Sequence, residues 1–219
     1  MTYYRSIFSL TIFFCCAVAC AQDQPRLKVA IFVHHGVQLL DFSGPGEVFK
    51  DAGFDVFAVA SDTAEITSQG FLKVRPNFSI ANCPQPDIMV FPGGDTGIPM
   101  EDERVIEWIK KAAPGSQYVL SVCTGSLLIA KAGLLDGKTA TTHYCCQESL
   151  AEFKAVTVVK DKRFVDNGKV ITTEGISAGI DGSLYLVEKI KSRKAAEDVA
   201  HYMMYNWQPD TYDILVMKP

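Results

Sequence analysis

The chain has 219 residues, of which 48% are hydrophobic and 21% charged, a balance typical of one globular domain with a single well-supplied core. The formal net charge is -4, and the one basic run, residues 191–194, is as short as a solvated helix end. Nucleic-acid binders carry a clustered basic face, so this class is excluded. We expect a small-molecule substrate instead.

The first 21 residues have the layout of a secretory signal peptide, with Arg5, an apolar run over 7–19 and then small residues. The run is short for a membrane span, and the polar residues 21–25 that follow it disfavour a buried first strand or helix. Cleavage after residue 19 would make Cys20 the lipid-bearing first residue of a bacterial lipoprotein. We expect export from a bacterium, to the periplasm or to a membrane through this lipid anchor.

Seven cysteines are present, and four of them lie beyond the predicted leader. These are Cys83, Cys123, Cys145 and Cys146. Their scatter is unlike a disulfide scaffold, and no Cys/His spacing is typical of a zinc site, so we expect no metal and no cofactor. The adjacent pair Cys145–Cys146 is open to three interpretations: core residues, a redox-active pair or a strained vicinal disulfide.

Apolar, β-branched runs recur along the chain and predict buried strands. The strands are predicted over 26–33, 54–60, 87–91 and 118–122. The helical patterns between them end near Gly53, at 113 and at 132, and a last core helix falls within 175–192. Strands of this kind, alternating with helices, predict a parallel sheet covered on both faces: an α/β three-layer sandwich.

Residues 157–173 break this alternation, because two short runs flank the dipeptide Asn167-Gly168. Such a pattern is typical of a β-hairpin, which we expect at an edge of the sheet. No internal repeat or second domain is evident in the sequence. We therefore predict one domain over 26–192 and a C-terminal extension, 193–219, packed on the same domain.

Three loops leave the carboxyl ends of predicted strands and carry polar or glycine residues. They cover 34–41, 92–97 and 123–125. In open α/β sheets ligands bind beyond the carboxyl ends of the strands, so these loops are expected to converge on one site.

Cys123 stands on the turn between a predicted strand and a predicted helix, in the frame Ser121-Val122-Cys123-Thr124-Gly125. Small neighbours on a sharp strand-to-helix turn are what a nucleophile elbow requires. A helix N-terminus is expected to favour the thiolate and lower the thiol pKa. The competing interpretation is a buried core cysteine.

Asp41 is the acid predicted to work with Cys123. A carboxylate facing the thiol could orient it or relay a proton. Two alternatives stay open, because Asp41 could simply cap a helix and Glu47 could supply the acid instead.

Three further groups could assist the thiol. The loop glycines Gly93 and Gly94, with the backbone N–H of Thr124, could stabilise developing negative charge. His143 follows a strand-like run and could act as a base.

Four segments carry a resemblance to a known family. They are LLDFSGPGEVF (39–49), VFPGG (90–94), SVCTGSLLIAKAGLLDGKTATTH (121–143) and ITTEGISAGIDGSLYLVEKI (171–190). With the motifs D-x-x-G-P and C-T-G-S in this order, residues 26–192 resemble the ThiJ/PfpI superfamily of the class I glutamine amidotransferase-like fold. Within it they are most similar to isonitrile hydratases and to amidase-like sensor domains of some transcription regulators.

The resemblance implies a flavodoxin-like sandwich in which Cys123 is the nucleophile, Asp41 the acid that contacts it and Thr124 its motif neighbour. It also implies that Gly94 completes an oxyanion site and that His143 matches a histidine found near the cysteine in other branches. A homodimer is the expected assembly.

The function that the resemblance implies is a cysteine-dependent hydratase or hydrolase of a small electrophile, such as an isonitrile converted to an N-substituted formamide. The alternatives are a glyoxalase- or deglycase-like enzyme and a non-enzymatic redox or small-molecule sensor. An amidotransferase or peptidase is disfavoured because the H-x-E ending is absent. A regulator is disfavoured because only about 27 residues follow position 192. The natural substrate is left open.

Overall fold

A computed structural model of the protein describes residues 26–217. The predicted leader, with Cys20, lies outside the described residues. No helix within 26–217 is long and apolar enough to cross a membrane.

The strands and helices alternate along much of the chain. The strands are β1 (Lys28–Phe32), β2 (Asp55–Ala60), β3 (Ile66–Ser68), β4 (Leu72–Val74), β5 (Phe78–Ser79), β6 (Ile88–Phe91), β7 (Tyr118–Val122), β8 (Thr139–Ala140), β9 (Thr157–Val158), β10 (Phe164–Asp166), β11 (Val170–Thr173) and β12 (Ile214–Val216). The helices are α1 (Leu39–Asp51), α2 (Gly97–Glu101), α3 (Glu103–Ala112), α4 (Gly125–Lys131), α5 (Gln147–Ala151), α6 (Ala178–Ile190) and α7 (Arg193–Tyr202).

The main sheet of the described chain has eight strands in the order β12-β10-β11-β7-β6-β1-β2-β5. The strands from β11 to β5 in this order run parallel, whereas β10 and β12 run antiparallel to them. The chain winds in opposite directions on the two sides of the β1–β6 pair. A crevice therefore forms where the loops leave the carboxyl ends of these two strands.

Helices cover both faces of the sheet, so the predicted α/β sandwich is confirmed. Side chains of α1, α6 and α7 pack with Val29 and Ile31 of β1 on one face. Side chains of α3 and α4 pack with Phe32, Met89 and Phe91 on the other. Each large apolar side chain buried in this way stabilises the fold by about 1.5–3 kcal/mol.

The hairpin of the C-terminal half is present, but its predicted position at the sheet edge is wrong. β10 and β11 pair antiparallel around the Asn167-Gly168 turn, and β11 joins β7. β12, from the C-terminal extension, covers the other side of β10 and forms the edge. Residues 157–158 belong instead to the separate pair β8–β9. A three-residue strand such as β12 has too short a pattern to reveal its partner.

Close packing at two glycines positions α1 and the loops that follow β1 and β6. A Cβ on Gly44 would lie 2.8 Å from Ile180 Cγ1, so the glycine lets α1 pack tightly on α6. The loops after β1 and β6 are joined by a bridge between Val37 and Gly94. Gly94 has φ 110°, and a Cβ there would lie 2.3 Å from Gly36 O, so only glycine fits.

Candidate active site at the Cys123 elbow

Cys123 occupies the sharp turn between β7 and α4, with φ 57°. A non-glycine residue in this left-handed region costs about 1–3 kcal/mol, which the surrounding structure must offset. Gly125 makes the turn feasible, since a Cβ there would lie 1.8 Å from Phe91 O. The side chain of Cys123 is buried, with the residue 7% exposed. The elbow geometry expected from the sequence is therefore present, but the thiol is largely covered.

Backbone from two other loops walls in the Cys123 side chain. A Cβ on Gly93 would lie 2.8 Å from Cys123 Cβ and 2.7 Å from Thr124 N. In the loop after β11, a Cβ on Gly175 would lie 2.9 Å from Cys123 Cβ. Glycine at both positions lets main chain approach the thiol more closely than any side chain would allow.

The Gly175 loop, residues 174–177, was not among the predicted site residues. It follows β11, whose partner β7 ends one residue before Cys123, so its position obeys the same strand-end rule as the other loops. The glycine in the motif around 175 was the available signal.

Asp41 lies in the first turn of α1 with no exposed surface, and its Oδ2 accepts the Gly93 N–H at 3.0 Å. The helix begins at Leu39 without a side-chain cap, so Asp41 is not an N-cap. The competing acid, Glu47, is exposed on α1 and lines a separate surface groove with Phe42. Asp41 is the acid that the fold directs towards Cys123.

Burial controls the protonation of the Asp41–Cys123 pair. It raises the pKa of Asp41 to about 6, opposed by the Gly93 N–H, the Cys123 thiol and the Ile176 N–H. It also raises the pKa of Cys123 to about 12, with the charge of Asp41 adding to the effect and the Thr124 N–H opposing it. The expected lowering of the thiol pKa at a helix N-terminus is wrong, because desolvation and the Asp41 carboxylate outweigh the effect of the short helix α4. At neutral pH the pair is a carboxylate beside a protonated thiol.

The backbone N–H groups of Gly93 and Gly94 both donate hydrogen bonds within the protein. The N–H of Gly93 is bonded to Asp41, and that of Gly94 donates to Thr124 Oγ1 at 2.9 Å. The same Thr124 hydroxyl donates to Gly94 O at 3.0 Å. Contrary to the prediction for Gly93 and Gly94, neither N–H is free to bind a substrate oxyanion in this arrangement. The Thr124 N–H, which faces the Cys123 sulfur, is the backbone donor left at the thiol.

His143 lies beside the site, across Gly175 from the thiol. A Cβ on Gly175 would lie 3.2 Å from His143 Cδ2. Its Nδ1, however, is 2.9 Å from Cys145 Sγ, so its hydrogen-bonding partner is Cys145 rather than Cys123. The neighbouring Thr142 hydroxyl donates to Cys123 O at 3.0 Å and ties this segment to the elbow.

The part of the chain that the structure describes contains no group of three or more His, Cys, Asp or Glu side chains able to hold a metal ion. The chemistry available at the elbow is that of a thiol, a carboxylate and backbone N–H groups. Such a set can form and break a covalent bond to sulfur while one proton moves between two atoms.

A parallel-sheet sandwich with a cysteine at a strand-to-helix elbow, beside a buried acid from the first helix, defines a class of α/β proteins with a nucleophile elbow. The chain belongs to the DJ-1/PfpI family, whose family model matches residues 27–189.

Named relatives agree with this assignment. The chain is 37% identical to an isonitrile hydratase of Pseudomonas putida over 181 residues, which cover 82% of this chain and 78% of that protein. It is 26% identical to the protein DJ-1alpha of Drosophila melanogaster, over 86% of this chain and 88% of the relative. A crystal structure of a ThiJ/PfpI family protein from Pseudomonas syringae superposes with a TM-score of 0.78 at 30% identity, covering 84% of this chain and 77% of that one.

Proposed function

We propose that the protein is a cysteine-dependent hydratase of small electrophiles, with the conversion of an isonitrile to an N-substituted formamide as its reaction. The observation that carries the proposal is the buried pair of Asp41 and Cys123, with the acid's pKa raised to about 6. The similarity to an isonitrile hydratase supports the same chemistry.

The first step uses the pair as a proton relay. The Asp41 carboxylate takes the proton from the Cys123 thiol and delivers it to the terminal carbon of the isonitrile. The sulfur bonds to that same carbon, and the product is a neutral thioimidate, R–N=CH–S, on Cys123. An acid whose pKa lies near the working pH suits both halves of this transfer.

The second step resolves the thioimidate with water. Water adds to the carbon while Asp41 takes one of its protons and passes that proton to the nitrogen, which gives R–NH–CH(OH)–S on Cys123. The C–S bond then breaks as the C=O bond forms, the hydroxyl proton passes to the leaving sulfur, and R–NH–CHO is released. The net reaction adds one water to one isonitrile. The Thr124 N–H faces the sulfur and can stabilise negative charge on it as it leaves.

The burial of Cys123 favours substrates with a slender reacting end. The residue is 7% exposed and walled by main chain at Gly93 and Gly175. The terminal carbon of an isonitrile carries no substituent and can reach such a thiol, whereas a bulky carbonyl compound is hindered.

Turnover of a small alkyl isonitrile, with the formamide quantified by chromatography, tests the proposal. We expect product from the wild type and none from Cys123→Ser. Cys83→Ser is a matched control, because Cys83 is half-buried and its thiol contacts Pro84 O away from the elbow. Equal rates in wild type and Cys123→Ser would overturn the proposal.

A non-enzymatic redox or small-molecule sensor is the second candidate, and the thiols outside the elbow favour it. Cys145 is exposed and contacts an imidazole. Aldehydes assayed alongside isonitriles would identify a glyoxalase- or deglycase-like enzyme. Binding or oxidation without turnover of either compound class would identify a sensor.

The location and assembly of the protein also belong to the proposal. We propose that the protein is exported through the predicted leader and forms a homodimer. Lipid attachment at Cys20 would anchor the exported protein to a membrane. Cell fractionation with lipid labelling, and light scattering of the purified protein, test these points directly.

A further inference from the structure

A second group of reactive side chains lies next to the elbow. His143 Nδ1 is 2.9 Å from Cys145 Sγ, and Cys145 Sγ is 3.3 Å from Cys146 Sγ. The turn that holds them is closed by the Cys146 N–H, which donates to His143 O at 2.8 Å. Two adjacent thiols and an imidazole therefore form one contiguous cluster.

The two thiols of this cluster differ in exposure. Cys145 is exposed, so packing does not account for its position, and the imidazole contacts it directly. Cys146 is half-buried, and burial, with Cys145 adding to the effect, raises its pKa to about 11. Cys145 is thus the more accessible of the two thiols, and its sulfur contacts both the imidazole and the Cys146 sulfur.

The cluster is attached to the elbow but does not form part of it. The Thr142 hydroxyl donates to Cys123 O, and Gly175 separates the His143 ring from the Cys123 side chain. A hydrophilic oxidant meets the exposed Cys145 before the 7% exposed Cys123.

We propose that His143, Cys145 and Cys146 form a hydroperoxide-reactive dithiol site, in which Cys145 is oxidised first and Cys146 closes a vicinal disulfide with it. The site is separate from the proposed hydratase chemistry and does not depend on it.

The oxidation proceeds in two balanced steps. His143 accepts the Cys145 proton, and the thiolate attacks one oxygen of the hydroperoxide. The O–O bond breaks, the alcohol or water leaves with the proton from His143, and Cys145 becomes a sulfenic acid. Cys146 sulfur then bonds to Cys145 sulfur, and the hydroxyl leaves as water with the Cys146 proton. Two thiols are oxidised and one hydroperoxide is reduced to an alcohol, or to water when the oxidant is hydrogen peroxide.

The order of reaction follows from the environments of the thiols. Thiolate character and access govern oxidation by peroxide. Cys123 has little of either, because it is buried and its pKa is raised to about 12. Cys145 is exposed, and its sulfur lies 2.9 Å from His143 Nδ1.

The test is a timed reaction of the purified protein with less than one equivalent of hydrogen peroxide. Free thiols are alkylated at intervals, and the oxidation state of each cysteine is read by peptide mass spectrometry. We expect a peptide lacking two hydrogens across Cys145–Cys146, formed at least about ten-fold faster than any oxidation of Cys123. His143→Gln should slow this about ten-fold, and Cys146→Ser should leave Cys145 as sulfenic and then sulfinic acid.

Controls separate the proposal from general thiol oxidation. Cys83→Ser should leave the rate of disulfide formation unchanged. The unfolding midpoint of His143→Gln should stay near that of the wild type, so that a slower reaction reflects lost proton transfer. Oxidation of Cys123 ahead of Cys145, or a Cys145 rate that is the same in His143→Gln, would overturn the proposal.

Discussion

Cys123 and Cys145 present the same functional group in opposite surroundings. Cys123 is covered by main chain at Gly93 and Gly175 and has a carboxylate as its neighbour. Cys145 is exposed and has an imidazole as its neighbour. Burial beside an acid raises the pKa of a thiol and restricts access to it, whereas an exposed thiol is open to any oxidant that reaches it. We therefore expect Cys123 to react with few compounds and Cys145 with many.

The largest expected effect is the loss of turnover on removing the buried thiol. Cys123→Ser should lower isonitrile hydration by about 10³-fold or more, because the covalent step needs sulfur. Cys145→Ser should retain the wild-type rate within about two-fold. Steady-state rates of formamide formation measure both. A large loss in Cys145→Ser would show that the two thiols do not act separately.

Asp41→Asn should have opposite effects on turnover and on thiol reactivity. Turnover should fall by about 10²-fold or more because the proton relay is lost. Alkylation of Cys123 should become faster, because the charge of Asp41 contributes to the raised thiol pKa. Iodoacetamide labelling across a pH series, with each cysteine peptide quantified separately, gives the apparent thiol pKa of Cys123 in the wild type and in Asp41→Asn. The Cys145 profile serves as the internal control and should not move.

The main-chain walls around Cys123 can be tested through stability. Gly125→Ala should lower the free energy of unfolding by about 3 kcal/mol, because the new Cβ would overlap Phe91 O at 1.8 Å. Gly97→Ala is the matched control, since its nearest atom, Asp95 Oδ1, lies at an ordinary 3.6 Å. Urea denaturation measures both variants. Equal stability of Gly125→Ala and Gly97→Ala would contradict the tight elbow.

The raised pKa of Asp41 predicts a smaller, pH-dependent cost to stability. Its folded pKa of about 6 exceeds the unfolded value of about 3.9, so the native state binds more protons between these values. Stability from this group is therefore fully present below pH 4 and is lost as the pH rises through 6, by about 2–3 kcal/mol.

Asp41→Asn should remove this dependence of stability on pH, because the amide does not titrate. The variant should gain stability relative to the wild type as the pH rises from 4 to 7, although it loses turnover. Urea denaturation of the two proteins at several pH values isolates the contribution of Asp41. If the difference in unfolding free energy between the two proteins stays constant with pH, burial does not raise the pKa of the Asp41 carboxyl.

Some of the site was predictable because it depends on strand ends. Parallel strands end at a common edge of the sheet, so the sequence alone predicts that the loops carrying Asp41, Gly93 and Cys123 meet. The β-hairpin could likewise be predicted from the Asn167-Gly168 dipeptide at its turn.

Other features required tertiary structure. The direction of the Cys123 pKa shift depends on how deeply the thiol is buried, which no local pattern encodes. The hydrogen bonds that occupy the N–H groups of Gly93 and Gly94 come from residues distant in sequence. The edge strand β12 and the Gly175 wall depend on pairing between segments whose short patterns carry little information.

A quenched reaction of the wild-type protein with one small alkyl isonitrile, followed by peptide mass mapping, tests the central claim most directly. The account predicts an adduct on Cys123 that adds the full mass of the isonitrile, forms before the formamide is released and is absent in Cys123→Ser. An adduct on Cys145 instead, or formamide production by Cys123→Ser at a rate close to that of the wild type, would contradict it.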